Sequence, residues 1–524
     1  MANTAPPANQ KELFGHPIGL FILFFTEMWE RFSYYGMRAI LVLYLVSATT
    51  EGNAGLGWTQ VEALALYGWY TMLVYVVSIP GGILADKVFG QKKAVLIGGI
   101  ILVIGHGILA VEEMWAFYTG LGLIIAGVGL LKPNISTMVG GLYREGDIRR
   151  DKGFTIFYIG INVGAFLSSI IVGTVGEVYG WHYGFGLAGI AMALGLLVYL
   201  WGQKYLTNVG NLLSKVERDE GASLGKLFAD LFNSPMQLVI TLILFGGSIW
   251  GMFTMGIAYG ILFIFLTLVV AMMMMVYKDL TTQVMKDRYV VMLLSFILVI
   301  VFWGAFEQAG GLMNIYALDN TNRTIPFDLP LGIGNQIPAS WFQSLNAMFI
   351  IIFGVVVANY WAKRKLKGKE ASSIFKMAIG VIIMGFGFVF MVFAALQFET
   401  NGSSAMYWLV FAYLFHTIGE LCSSPVALSF ITKLAPVKYA SLMMGVYFAA
   451  TGLGNKVAGE LGAFAAEAGD IAIFSGITIF TVAFASIVLI MLKPLKRLTH
   501  GAEDNEREMM EQEPYELADT EIKR

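Results

Sequence analysis

Glu27, Glu30, Arg31, Tyr34, Tyr35 and Arg38 follow one another in steps of three and four, so a helix carrying them presents all six along one face. The types fit two kinds of chemistry. Carboxylates beside guanidinium groups can take up and release protons as their ion pairs open and close, and both can exchange partners with a charged solute. The surrounding stretch, Pro17 to Ser47, is otherwise apolar enough to sit in lipid. An acid or base at the centre of such a segment opposes insertion by about 2.5–3.5 kcal/mol. Four charges in one helix therefore require a face turned to protein or water.

Further charges recur at membrane depth: Lys132, Glu307, Glu420, and Lys456 with Glu460. The last two are spaced i, i+4 and read as a local structural ion pair. Without them, four acids (Glu27, Glu30, Glu307, Glu420) face three bases (Arg31, Arg38, Lys132). An acid left unpaired in a poorly solvated site tends to hold a proton, and which one is unpaired can change as helices move. Fixed salt bridges that only hold helices together are the plainer reading, yet expensive groups spread over four helices point to function. Polar neighbours share these faces: Tyr158 with Asn162, Trp303 with Glu307, and Glu420 with Ser424, while Tyr75 and Asn346 stand alone. For any one Tyr or Asn, helix-to-helix hydrogen bonding and solute contact are equally good readings. His416 is read as a core histidine outside the site.

The elements that must position these groups follow from hydropathy. The chain has 524 residues, 57% hydrophobic and 13% charged, about half the charge of a soluble domain. Fourteen segments suit spanning helices: 17–47, 61–85, 94–111, 115–142, 153–176, 182–203, 235–252, 256–277, 289–311, 340–362, 375–397, 405–432, 438–465 and 472–493. Lys and Arg test the count. Odd-numbered connections hold Glu51, Glu112, Glu113, Glu177, Glu399, Glu467 and Asp470 but a single base, Arg323. The 34 bases otherwise lie at the even-numbered connections and the termini, apart from Arg31, Arg38, Lys132 and Lys456 within helices. The positive-inside rule then places both ends in the cytoplasm.

The resulting fold class is an all-α membrane protein. It has a cytoplasmic N-terminus (1–16), a six-helix bundle (17–203), a linker with two extra helices (204–288), a second six-helix bundle (289–494) and an acidic tail (495–524) expected to be disordered. The extra pair holds no intramembrane charge, which suits a peripheral, lipid-facing position. Two such bundles around a midplane cavity are the architecture of many secondary transporters. The near-neutral charge and the lack of a basic run give no sign of a nucleic-acid partner, and one Cys excludes a disulfide framework. No metal-ligand cluster or nucleophile–His–acid set supports an enzyme, and no cofactor is expected. A cavity lined by acids, bases and aromatics suits a small zwitterionic or anionic solute.

Glu27-Met-Trp-Glu30-Arg31-Phe-Ser-Tyr-Tyr35-Gly resembles the first-helix signature of the proton-dependent oligopeptide transporter family, a branch of the major facilitator superfamily. Gly82-Ile-Leu-Ala-Asp86-Lys-Val-Phe-Gly90 is similar to the superfamily's loop motif. Phe157 to Gly164, Leu131-Lys132-Pro133-Asn134, Phe302 to Gln308, Trp341 to Asn346 and Gly419 to Pro425 resemble other family segments. The resemblance runs from about Gly15 to Pro494. It implies import of di- and tripeptides by alternating access, with protons as coupling ion, the lipid bilayer as surroundings and no obligatory protein partner. By matching positions, Glu27, Glu30, Arg31 and Glu307 would couple protons. Peptide contacts would come from Arg31, Tyr35, Arg38, Tyr75, Lys132, Tyr158, Asn162, Trp303, Asn346, Glu420 and Ser424. Arg38 with Glu307, and Lys132 with Glu420, would be gating pairs on the periplasmic and cytoplasmic sides. Fourteen helices look like the bacterial members, hence an inner-membrane location. Two departures are Tyr447, where members often have Trp, and the absence of His between Val61 and Ala85, so coupling would rest on carboxylates. An anion carrier of nitrate type is the alternative, disfavoured by the excess of acid.

Overall fold

The computed structural model describes residues 11–50, 52–144, 147, 149–207, 209–212 and 235–502. The expected acidic tail beyond residue 502 and most of the connection after Lys204 lie outside these residues, while residues 495–498 of that tail close a short helix, Leu492–Leu498. Long helices dominate. They are α1 (Ile18–Val46), α2 (Gln60–Val76), α3 (Ser78–Leu84), α4 (Gln91–Leu109), α5 (Met114–Gly141), α6 (Arg149–Thr174) and α7 (Trp181–Gly202), then α8 (Pro235–Met255) and α9 (Ile257–Asp279). The chain continues with α10 (Gln283–Phe306), α11 (Leu312–Asp319), α12 (Ser344–Leu366), α13 (Ser373–Asn401), α14 (Met406–Leu434), α15 (Ala440–Ala468), α16 (Asp470–Ile490) and the short α17 (Leu492–Leu498).

Among the described residues, twelve helical stretches are long and apolar enough to cross a membrane. Two more helices of 29 residues each carry part of the intramembrane charge read from the sequence: α1 holds Glu27, Glu30, Arg31 and Arg38, and α15 holds Lys456 and Glu460. The all-α membrane class thus holds, with three two-stranded pairs added that hydropathy does not show. These are Glu12–Leu13 with His16–Pro17, Thr321–Asn322 with Ser404–Ala405, and a hairpin of Thr324–Leu329 with Gly334–Gln336.

Local chemistry sets the helix ends. Thr59 and Glu62 form a reciprocal capping box at the start of α2, satisfying two amide donors. The segment expected to be one helix over 61–85 breaks at Val77, because Pro80 cannot donate to the carbonyl four residues back. Wide π-helical turns, Ala85–Phe89 and Val175–Tyr179, end at Gly90 and Gly180, whose φ of 77° and 143° would strain a side-chain-bearing residue. At the end of α10 the chain tightens into a 3₁₀ turn, Glu307–Ala309, before Gly310 and Gly311.

The described residues divide into two compact units. The larger comprises Met1–Leu213, Ile297–Ala427 and Phe448–Ile490. Within it α4 packs on α5, α1 on α6 and α7, and α13 on α16, while α6 packs on α12. Helices α2 and α15 come close where Gly68 faces Gly459, an approach that side chains would block. The smaller unit, Ser214–Phe296, Leu428–Tyr447 and Met491–Arg524, contains α8 and α9 packed on each other. Only 11% of α8's apolar window is buried, against 61% for the stretch Gln283–Asp319. Trp250 and Phe253 are 69% and 83% exposed, so α8 presents a lipid-type surface.

Candidate functional site

The charged face of α1 is buried: Glu27, Glu30 and Arg31 are each at most 2% exposed. Arg31 Nε lies 3.1 Å from Glu27 Oε1 and donates to Glu30 Oε2. One guanidinium thus serves two carboxylates. Glu27 Oε2, Glu30 Oε1 and Arg31 Nη2 have no hydrogen-bond partner among the described residues. Buried polar atoms are costly to leave unmade, so this triad is poised to take a proton or a further polar group.

About two turns along α1, at Arg38, the face continues into a second cluster. Arg38 Nη2 lies 3.2 Å from Glu307 Oε1, its Nε donates to Tyr67 Oη at 2.9 Å, and Tyr67 donates to the same Glu307 oxygen at 2.6 Å. A charge pair and a shared hydroxyl join α1, α2 and the turn after α10. Tyr35 stands between the two arginines, with its ring centre 5.9 Å from the Arg31 guanidinium and 5.4 Å from that of Arg38. Gly310 makes this packing possible, since a Cβ there would lie 2.7 Å from Arg38 Nε.

Lys132, ahead of Pro133 in α5, places its Nζ 4.0 Å from the Tyr75 ring centre. Among the described residues it has no ion pair, though it lies within electrostatic range of Arg31, Glu30 and Glu27. Glu420 is 9% exposed and accepts a 2.7 Å hydrogen bond from Asn346 Nδ2, which also reaches Thr417 Oγ1 at 3.1 Å. Lys132 and Glu420, expected as a gating pair, are therefore apart here, each held by a neutral partner. Tyr158 is 43% exposed, accepts from Asn162 through its backbone carbonyl, and lies within electrostatic range of Glu420. Trp303 packs edge-on against Phe302 and Phe306. Ser424 is half-buried one turn beyond Glu420.

The structure thus brings the first-helix triad, the Arg38 cluster, Lys132 with Tyr75, and Glu420 with Asn346 into one electrostatically connected region. Glu420 itself lies within range of Glu307 and Arg38. Lys456 and Glu460 pair within α15, with Lys456 also 4.4 Å from the Trp69 ring centre. His416 is buried against Phe388, away from polar partners among the described residues. Tyr67 and Thr417 were missed by sequence reasoning, although a signal existed. Tyr67, Thr71 and Tyr75 are spaced four apart, as are Tyr413 and Thr417, on the faces that carry Tyr75 and Glu420.

The family model described as PTR2, POT family, matches residues 92–477. A protein named peptide transporter YePEPT, from Yersinia enterocolitica subsp. palearctica, is 34% identical over 510 residues, covering 94% of this chain and 97% of that protein. A di-/tripeptide transporter from Lactococcus lactis subsp. cremoris is 34% identical over 495 residues, covering 94% and 98%. The fold is similar to the crystal structure of a mutant peptide transporter POT in complex with alafosfalin, with a TM-score of 0.77, 35% identity, and coverage of 93% of this chain and 97% of that one. This chain belongs to the POT family of membrane transporters.

Proposed function

We infer that the protein is a proton-coupled symporter that imports di- and tripeptides by alternating access. The observation that carries this reading is the Glu27–Glu30–Arg31 triad, buried yet left with unsatisfied polar atoms on both acids and on the base. While both carboxylates hold Arg31, its charge is committed. A proton on either acid removes one counter-ion and frees Arg31 for a peptide carboxylate. Arg38 and Lys132 add positive charge for the same end of the peptide. Glu420 takes the free amine, a pairing that strengthens where water is excluded. Tyr35, Tyr75, Tyr158, Asn162, Trp303, Asn346 and Ser424 supply aromatic walls and neutral hydrogen-bonding groups that accept varied side chains.

Alternating access is supported by the contrast between the two expected gating pairs. Arg38 and Glu307 are joined and Lys132 and Glu420 are apart, as expected of a chain closed on its outer side and receptive on its inner side. The names of the relatives support peptides as cargo. The Lys and Arg asymmetry supports an inner-membrane orientation with both termini cytoplasmic. The test is uptake of labelled dipeptide into proteoliposomes with and without an imposed pH gradient, acidic outside. Accumulation above equilibrium only with the gradient is expected. Uptake that ignores the gradient removes proton coupling, and competition by nitrate as strong as by peptide favours the anion carrier.

A further inference from the structure

Two features remain outside this mechanism: Arg323, the single base among the outer connections, and the π-helical turn Val175–Tyr179 at the end of α6. They meet. The turn directs Glu177 toward the start of the helical run that leads into α12. Its carboxylate accepts from the backbone amides of Ala339 at 2.8 Å and Ser340 at 2.9 Å, and from Ser340 Oγ at 2.5 Å. This is N-terminal capping by a carboxylate, with one difference: the cap comes from the first half of the sequence and the helix from the second. Arg323 lies 3.9 Å from Glu177 and donates to the carbonyls of Ile337 and Leu318, fixing the strand that leads into the capped turn. Nearby, Trp341 Nε1 donates to Thr174 Oγ1 at 2.8 Å, so the contact has a second point.

The geometry points to Glu177 as an outer latch, a positioning residue that holds the outer side closed by capping the α12 run across the two halves. It is separate from the Arg38–Glu307 pair, which joins α1 to the turn after α10. The capped run continues directly into the turn of α12 that bears Asn346, the hydrogen-bond donor to Glu420. Releasing Glu177 is therefore required before the outer side opens, and it frees the segment that holds the partner of the proposed amine site. The inference rests on the alternating-access reading, but its test needs no peptide.

The experiment uses the full chain with Cys422→Ser and one reporter cysteine: Ala309→Cys, buried beside the Arg38 cluster, or Thr155→Cys, exposed on the α6 face that carries Tyr158 and Asn162. A membrane-impermeant maleimide is applied to the outer side of vesicles for the first and to the inner side for the second. In Glu177→Gln, outer labelling of Ala309→Cys is expected to rise about tenfold, the change that loss of one charge-assisted hydrogen bond gives, and inner labelling of Thr155→Cys to fall. Ser340→Ala, which removes one bond and keeps the charge, should show the same reciprocal change at smaller size and serves if Glu177→Gln does not fold. Unchanged labelling at both reporters overturns the latch. A rise at both overturns it too, since that reports general loosening. Failure of dipeptide uptake in the unmodified chain would instead sink the transport reading and leave these labelling results standing.

Discussion

Arg38–Glu307 and Lys132–Glu420 pose the same problem, an acid and a base at membrane depth, and the structure solves it in opposite ways. Arg38 and Glu307 meet directly and share Tyr67, so every charge in that cluster has a charged or hydroxyl partner. Lys132 rests on the Tyr75 ring and Glu420 accepts from Asn346, so each charge meets a neutral group. Breaking a buried ion pair strands a charge, whereas trading a neutral partner for an ionic one costs far less. The difference teaches where the next move lies. Under the proposed function, a zwitterionic solute would replace Tyr75 and Asn346 as partner of Lys132 and Glu420 without stranding either charge.

Three substitutions (Arg38→Gln, Glu420→Ala and Gly310→Ala) break or sharpen this contrast, two act on the neighbouring triad and one lies outside the charged region. The largest effect is expected for Glu27→Gln or Glu30→Gln, which should abolish proton-driven accumulation of dipeptide while peptide counterflow survives in part. Accumulation equal to the parent in both variants would take these acids out of coupling. Arg38→Gln strands Glu307 in a buried site, a loss of about 3–5 kcal/mol. It should lower both thermal stability in detergent and transport, and a melting curve like the parent's would contradict the buried pair. Glu420→Ala should weaken peptides with a free amine about 10–100-fold, the cost of one charge-assisted hydrogen bond. Peptides with a blocked N-terminus should lose less, and equal losses would count against the amine assignment.

Gly310→Ala puts a methyl group against Arg38 and should cost about 1–3 kcal/mol by overpacking. Its signature is a looser outer side, read as faster maleimide labelling of a nearby cysteine, and no change in labelling would show that the cluster yields easily. Smallest is Trp250→Ala on the exposed face of α8, expected within about 0.5 kcal/mol of the parent. A marked fall in transport rate would show that this helix does more than face lipid.

Most of this arrangement was legible because charge in an apolar helix is hard to hide. Glu27, Glu30, Arg31 and Arg38 betray their shared face by spacing alone, and the runs of apolar residues around them mark long spanning helices. What escaped was backbone irregularity and neutral partners. The break at Val77 depends on a proline three residues on, in a segment that reads as one apolar run. The turn at Glu307 depends on Gly310 admitting Arg38 from a distant helix, a tertiary fact with no local trace. Tyr67 and Thr417 lie on the right faces, but a neutral residue costs little in a helix and so signals little. The short strands between helices are set by pairing between connections far apart in sequence, as Thr321–Asn322 with Ser404–Ala405 illustrates.

The proposed function requires that protons and peptide share the buried acids and bases of these helices. Its most direct test is the internal pH of proteoliposomes, followed with an entrapped dye as dipeptide is added outside with no gradient imposed. Internal acidification that depends on dipeptide and is absent in Glu27→Gln is the expected outcome. Dipeptide entry at the parent rate with no change in internal pH would contradict it.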